Sequence, residues 1–243
     1  MTSTSRRPTL VVVGAGPGLG LSVAHRFGSE GYAVALISRS ADRHGDYLRS
    51  LADAGVEAAA FVADATDSAA LRGAVEAARA RFGRIDAGYY GPAAALQPAD
   101  ITELDAAGAT TALLGMVVPA VDFASMLLPE LTSRGSGGLL FAGGLSSVIP
   151  MPPLGGLALA SAALRTYALT LHVALAKVGV YAGTLTIGGL IERGDIHRAM
   201  VSHPGAFGDI TASTLNPDDL AELLWQLYLK RSEPETVVNA LTA

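Results

Sequence analysis

The residues best equipped for chemistry lie between Leu10 and Gly20, in the run Leu-Val-Val-Val-Gly-Ala-Gly-Pro-Gly-Leu-Gly. Glycine at Gly14, Gly16, Gly18 and Gly20 tolerates positive φ and leaves no Cβ where a diphosphate would lie against the backbone. A helix starting at Leu19 would offer free N–H groups and the positive end of its dipole to the same phosphates. A glycine run alone is only a tight turn. Here a valine-rich strand precedes it and apolar residues at Leu19, Val23 and Phe27 follow at helical spacing, which is the context of a dinucleotide site. The next apolar run ends in Ser38 and Arg39. Dinucleotide folds that prefer NAD place a carboxylate there for the ribose 2′-hydroxyl. A guanidinium attracts a 2′-phosphate instead, so NADP is the expected cofactor; the alternative is an ordinary surface arginine. Cysteine is absent, which excludes thiolate and disulfide chemistry, and the five histidines show no metal-ligand spacing.

These groups need a scaffold. The chain has 243 residues, of which 50% are hydrophobic and 16% charged, as in an α/β protein whose sheet is covered on both faces. Its net charge of −5, with scattered basic residues, leaves no electrostatic footprint for nucleic acid. The apolar segments 110–121 and 157–171 read as too short or too broken to span a bilayer, and glycine and proline interrupt the first apolar run, so no signal peptide is expected. A cytoplasmic location follows as the default.

Strands are expected at 33–37, 58–63, 87–90, 138–142, 181–187 and 236–240, besides the first near 10–13. Helices are expected at 19–27, 46–54, 68–82, 103–131, 157–177 and 217–230, the last capped by Asn216. The stretch from 188 to 215 reads as polar connection. Alternation of this kind implies parallel strands joined by right-handed crossovers. The expected fold is a single-domain, doubly wound Rossmann fold over 9–243 with a mostly parallel seven-stranded sheet, behind a flexible tail, 1–8.

Gly14-x-x-x-Gly18-x-Gly20, Asp64 within Val62-Ala63-Asp64-Ala65-Thr66-Asp67, Phe82-Gly83-Arg84-Ile85-Asp86, Pro129 and Ala160-Ser161-x-Ala163-Leu164-Arg165 together carry a resemblance. Over nearly the whole chain the sequence resembles the short-chain dehydrogenase/reductase family. The resemblance implies an adenine contact at Asp64, with Ala65 beside it, and cofactor contacts at Leu19, Gly91, Gly189 and Ile191. It also implies a tyrosine and a lysine four residues later for proton transfer, a serine to orient substrate and an asparagine for a proton relay. Those places hold Ala158, Ala162, a site near Leu145 and one near Ala112. No Tyr-x-x-x-Lys occurs anywhere, because Val173 and Gln226 precede the two lysines, Lys177 and Lys230. The family's Asn-Asn-Ala-Gly run is Tyr90-Gly91-Pro92-Ala93, and its Pro-Gly is Gly188-Gly189.

Other hydroxyls are therefore the catalytic candidates. Ser146 and Ser147 lie at the carboxyl end of the fifth strand, the edge where ligands bind in this fold. Their other reading is loop hydrogen bonding. Tyr89 and Tyr90 end the fourth strand and face opposite ways, so at most one reaches the cleft; Tyr90 is chosen. Tyr167 and His172 read as core or interface. Glu192, Arg193, Asp195, His197 and Arg198 fall in the family's substrate lid but read first as a solvated loop.

Three functions compete. The first is an NADP-dependent oxidoreductase acting on a small apolar or conjugated substrate: an activated C=C or C=N bond, or a quinone-like ring. The second is a non-redox cyclase or isomerase that keeps NADP as a structural element or not at all. The third is a cofactor-binding regulator. The helices 103–131 and 157–177, which carry few charges around their circumference, are expected to build a homodimer or homotetramer, since a helix apolar on most faces needs cover outside as well as inside.

Overall fold

In a computed structural model the described residues are 6–92, 99–203 and 210–241, so most of the tail, and Ala93, lie outside them. Seven strands form one parallel sheet in the order β3-β2-β1-β4-β5-β6-β9. Their ranges are β1 Thr9–Val13, β2 Ala33–Ser38, β3 Ala58–Val62, β4 Ala87–Tyr90, β5 Gly138–Gly144, β6 Tyr181–Gly188 and β9 Glu235–Asn239. The helices between them are α1 Leu19–Ser29, α2 His44–Asp53, α3 Ser68–Phe82, α4 Ala106–Arg134, α5 Gly155–Ala176, α6 Asp195–Val201 and α7 Pro217–Lys230. A small parallel pair, β7 Leu190–Ile191 and β8 Thr214–Leu215, stands apart.

The period of two along each strand divides the interior. Val11, Val13, Leu139 and Phe141 join α3, α4 and α5 on one face, while Leu10, Val12 and Leu140 join α1 and α7 on the other. Both sheet faces are thus buried, which is why β1 reads as an unbroken apolar run. β1 pairs with β2 on one side and β4 on the other, so the strand order reverses there. The crevice outside the carboxyl ends of β1 and β4 is the ligand position of this fold class.

Several boundaries move. α2 begins at His44 rather than residue 46. α4 starts later than expected, behind a cap in which Asp105 accepts from Gly108 N–H, and it runs on to Arg134. Gly135 ends it at φ +69°, returning its N–H to Leu131 and Thr132 carbonyls. β5 continues to Gly144 because each added residue still pairs with β6 as far as Ile187. The expected connection at 188–215 contains β7, α6 and β8. The reading of the apolar segments as too short for a bilayer is corrected too: α4 and α5, at 29 and 22 residues, are long and apolar enough to cross one by length and composition. Their inner faces pack on the sheet, which accounts for part of that apolar character. The outer face leaves Leu114, Val118 and Val121 of α4, and Leu159 and Val173 of α5, exposed.

Candidate functional site

The glycine turn closes the crevice by direct backbone approach. Gly14 has φ +90°, and a Cβ there would stand 2.5 Å from Pro92 N on the β4 side. Its N–H and that of Ala15 both donate to Ile37 O, fastening the turn to the end of β2. A Cβ on Gly20 would collide with Gly14 O and lie 3.1 Å from Ala15 Cα. Around Gly16, by contrast, the nearest atom to such a Cβ is Gly14 O at 4.0 Å, so this side of the turn is open. Leu21 N–H donates to Gly16 O and Ser22 N–H to Gly18 O, while the N–H groups of Leu19 and Gly20 have no such acceptor among the described residues. An open glycine face beside free N–H donors at the start of α1 fits a diphosphate.

Beyond β2 the turn 38–43 is drawn together by the Ser38 hydroxyl, which donates to Ser40 O at 3.1 Å and shares a 2.7 Å hydrogen bond with His44 Nε2. Desolvation lowers the His44 pKa, favouring the neutral ring. Arg39 is exposed and forms no ion pair among the described residues, which leaves its guanidinium available at the place expected of a 2′-phosphate ligand. Asp64 follows β3. Its Oδ1 accepts the Thr66 backbone N–H at 2.9 Å and the Thr66 hydroxyl at 2.8 Å, and these bonds hold its carboxyl below the usual range. Ala65 is buried behind it. At Gly91 a Cβ would run into the Tyr89 ring, so this end of β4 requires glycine. Gly189 lies against Leu215, and Ile191 Cγ2 lies 3.2 Å from the point a Gly18 Cβ would occupy. The cofactor candidates from Gly14 to Gly20, Ser38, Arg39 and Asp64 therefore share the carboxyl edge of β1, β2 and β3, with Gly91, Gly189 and Ile191 on the facing side.

The three hydroxyl candidates part company. Tyr90 is 1% exposed, packs against Phe123 and donates its hydroxyl to Met116 O at 3.2 Å. Burial pushes its phenol up, and its ring belongs to the core rather than the cleft. Tyr89 is turned into the opposite core, and its buried hydroxyl has no hydrogen-bond partner among the described residues. Ser147 donates to Gly144 O at 2.7 Å, as an ordinary loop serine does. Ser146 Oγ is buried without a partner among the described residues. It is 3.5 Å from the Cβ position of Gly144, and Ser161 Oγ of α5 is 3.3 Å from the same point. Ser161 is fully buried beside Met116, its hydroxyl 4.0 Å from the sulfur. Sequence reasoning placed Ser161 on the helix without giving it a role; its position just before Ala162 was the available signal. Ala158 and Ala162 are half-buried one turn apart on α5, and Ala112 faces Gly156 across the α4–α5 contact.

The segment read as a solvated loop is tied down. Arg193, at φ +65°, pairs with Asp218 at 2.7 Å and donates to Ser22 Oγ at 3.2 Å. Asp195 pairs with Arg43 across the chain. Tyr167 meets Phe141 edge-on, and His172 Nδ1 bonds to Ala182 O, so both serve packing as expected.

The chain is 33% identical over 107 residues to a granaticin polyketide synthase protein of Streptomyces violaceoruber named ketoacyl reductase 1. That match spans 42% of this chain and 39% of the relative, so the chain covers less than half the length of the curated protein it resembles. Among solved structures, a variant of actinorhodin polyketide ketoreductase with NADPH superposes with a TM-score of 0.86 at 18% identity, over 98% of both chains. A short chain oxidoreductase from Pseudomonas aeruginosa PAO1, described as containing an atypical catalytic center, gives 0.84 at 20% identity over 97% of both chains. Residues 8–192 match the family model for short chain dehydrogenases. That span takes in the glycine turn, the sheet through β6 and both long helices, and the chain belongs to the short-chain dehydrogenase family.

Proposed function

We propose that the protein is an NADP(H)-dependent oxidoreductase with a non-standard proton route, acting on a small apolar or conjugated substrate with an activated C=C, C=N or quinone-like group. One observation carries this reading. The glycine turn is open where a diphosphate would lie, while alanine stands at Ala158 and Ala162, and at Ala112 near the relay position, where the resemblance would place the family's proton-transferring side chains. The NADPH bound to the actinorhodin enzyme and the ketoacyl reductase name of the granaticin protein support the redox half.

When bound, NADPH supplies a hydride. The Leu19 and Gly20 N–H groups would hold its diphosphate, Arg39 would hold the 2′-phosphate, and Asp64 and Ala65 would border the adenine. A substrate that is already electrophilic needs less acid assistance at the reacting atom, which suits a site with few proton donors. The Ser146 hydroxyl is the donor closest to hand, since Tyr90 and Ser147 spend theirs on main-chain carbonyls. It would hydrogen-bond the substrate's developing negative charge, and the product would take its proton from solvent. The same alanines favour a second reading, a non-redox cyclase or isomerase in which the cleft orients a reactive substrate.

The test is incubation with NADPH and a panel of ketones, enones, imines and quinones, followed at the nicotinamide absorbance. Enone, imine or quinone turnover supports the redox reading; rearrangement of substrate with no change in NADPH supports the second. Cofactor choice is tested separately. Wild type is expected to bind NADPH more tightly than NADH, and Arg39→Ala to lose about 1.5–3 kcal/mol toward NADPH alone. Titration of both nucleotides reads this, and a preference that survives Arg39→Ala removes the assignment.

The exposed apolar residues of α4 and α5 are expected to be covered by a second copy. Sedimentation at micromolar concentration should show a dimer or tetramer. A lone species at the 24.7 kDa chain mass contradicts it.

A further inference from the structure

Arg43 stands at the start of α2, four residues beyond Arg39 on the same turn. Its guanidinium does not point idly to solvent. Nη1 lies 2.9 Å from Asp195 Oδ1 and 3.0 Å from Oδ2, bridging 152 positions of sequence. Asp195 opens α6 and also pairs with Arg198. The residue before it, Gly194, is the nearest backbone to Gly18, its Cα 3.2 Å from where a Gly18 Cβ would be. Segment 191–195 therefore rests on the glycine turn at one end and reaches the β2–α2 turn at the other. The space between those turns, outside the carboxyl ends of the adjacent strands β1 and β2, is where the adenosine half of a dinucleotide lies.

We propose that Arg43 is a second ligand for the cofactor's 2′-phosphate, held by Asp195 until the phosphate takes its place. The inference rests on the NADP reading above. The phosphate would occupy the turn carrying Ser38, Arg39 and Ser40, so Arg43 has a choice between two anions. A carboxylate offers one charge, already shared with Arg198. A phosphate monoester offers nearly two, and three oxygens for bidentate pairing. The exchange breaks the one ion pair that joins this turn to α6 among the described residues, while Arg193 keeps the other end of the segment on Ser22 and Asp218. NADPH would thus release α6 from the β2–α2 turn, and NADH, having no 2′-phosphate, would not.

Titration of NADPH and NADH against wild type, Asp195→Asn and Arg43→Ala tests this, with hydrogen exchange of 195–201 as a second readout. An exposed ion pair is worth little, so removing the competing carboxylate should tighten NADPH by about 2–5-fold and leave NADH unchanged. Arg43→Ala should weaken NADPH by about 10-fold or more, again without effect on NADH. In wild type, saturating NADPH should speed exchange of the α6 amides and NADH should not. Equal shifts for both nucleotides in Asp195→Asn, or an unchanged NADPH affinity in Arg43→Ala, would make the pair a purely structural tie and overturn the proposal. A wild-type protein that binds neither nucleotide instead overturns the NADP reading on which it rests.

Discussion

Gly20→Ala is expected to abolish dinucleotide binding while leaving most of the sheet folded. The added methyl would collide with Gly14 O and press on Ala15 Cα at 3.1 Å, both backbone atoms of the turn. Neither can yield as a flexible side chain would, so the turn must shift. Overpacking of this kind costs about 1–3 kcal/mol of stability, which a domain of this size tolerates. The binding loss should be larger. Displacing the Leu19 and Gly20 N–H groups removes two charge-assisted hydrogen bonds of about 1.5–3 kcal/mol each, together about 10²–10⁴-fold in affinity. Calorimetric titration with NADPH, beside a thermal melt, separates the two effects. Unchanged affinity in a folded Gly20→Ala protein would show that the diphosphate lies elsewhere. Gly16→Ala is the contrasting control for the fold: its methyl meets open space, so stability should hold even where binding suffers.

The second large effect concerns catalysis. Native protein is expected to reduce ordinary ketones no faster than background, because Ala112, Ala158 and Ala162 cannot donate, accept or relay a proton. General acid–base assistance is worth about 10²–10⁴-fold, so its absence is measurable. Ala158→Tyr combined with Ala162→Lys would restore the family's pair one turn apart on α5, at two half-buried positions. If NADPH sits as proposed, the double variant should gain weak ketone reduction that neither single variant shows. Robust reduction by native protein would instead point to a hydroxyl donor already in place. Ser146→Ala then identifies it, with Ser147→Ala and Tyr90→Phe expected to do little because their hydroxyls serve main-chain carbonyls.

Much of this was legible without coordinates. Alternating apolar runs and helical repeats prescribe the strand and helix order because those periods are local properties of the backbone. The glycine spacing likewise marks a tight backbone turn after β1, because Gly14 and Gly20 answer local needs for positive φ and for space. That no Tyr-x-x-x-Lys occurs is likewise a matter of residue identity, which no fold can change. The tertiary structure decided what depends on distant partners. Tyr90 ends in the core because α4 brings the Met116 carbonyl over it, a contact spanning 26 positions. Ser146 and Ser147 look alike in sequence, yet the short turn after β5 gives one the Gly144 carbonyl and leaves the other buried and unpaired. Arg43 carries no local signal in the sequence, and Asp195 reads there as part of a solvated loop. Only the folding of segment 191–195 onto the glycine turn brings them within hydrogen-bond distance, since a charge's partner across 152 residues is set by packing and not by any local pattern.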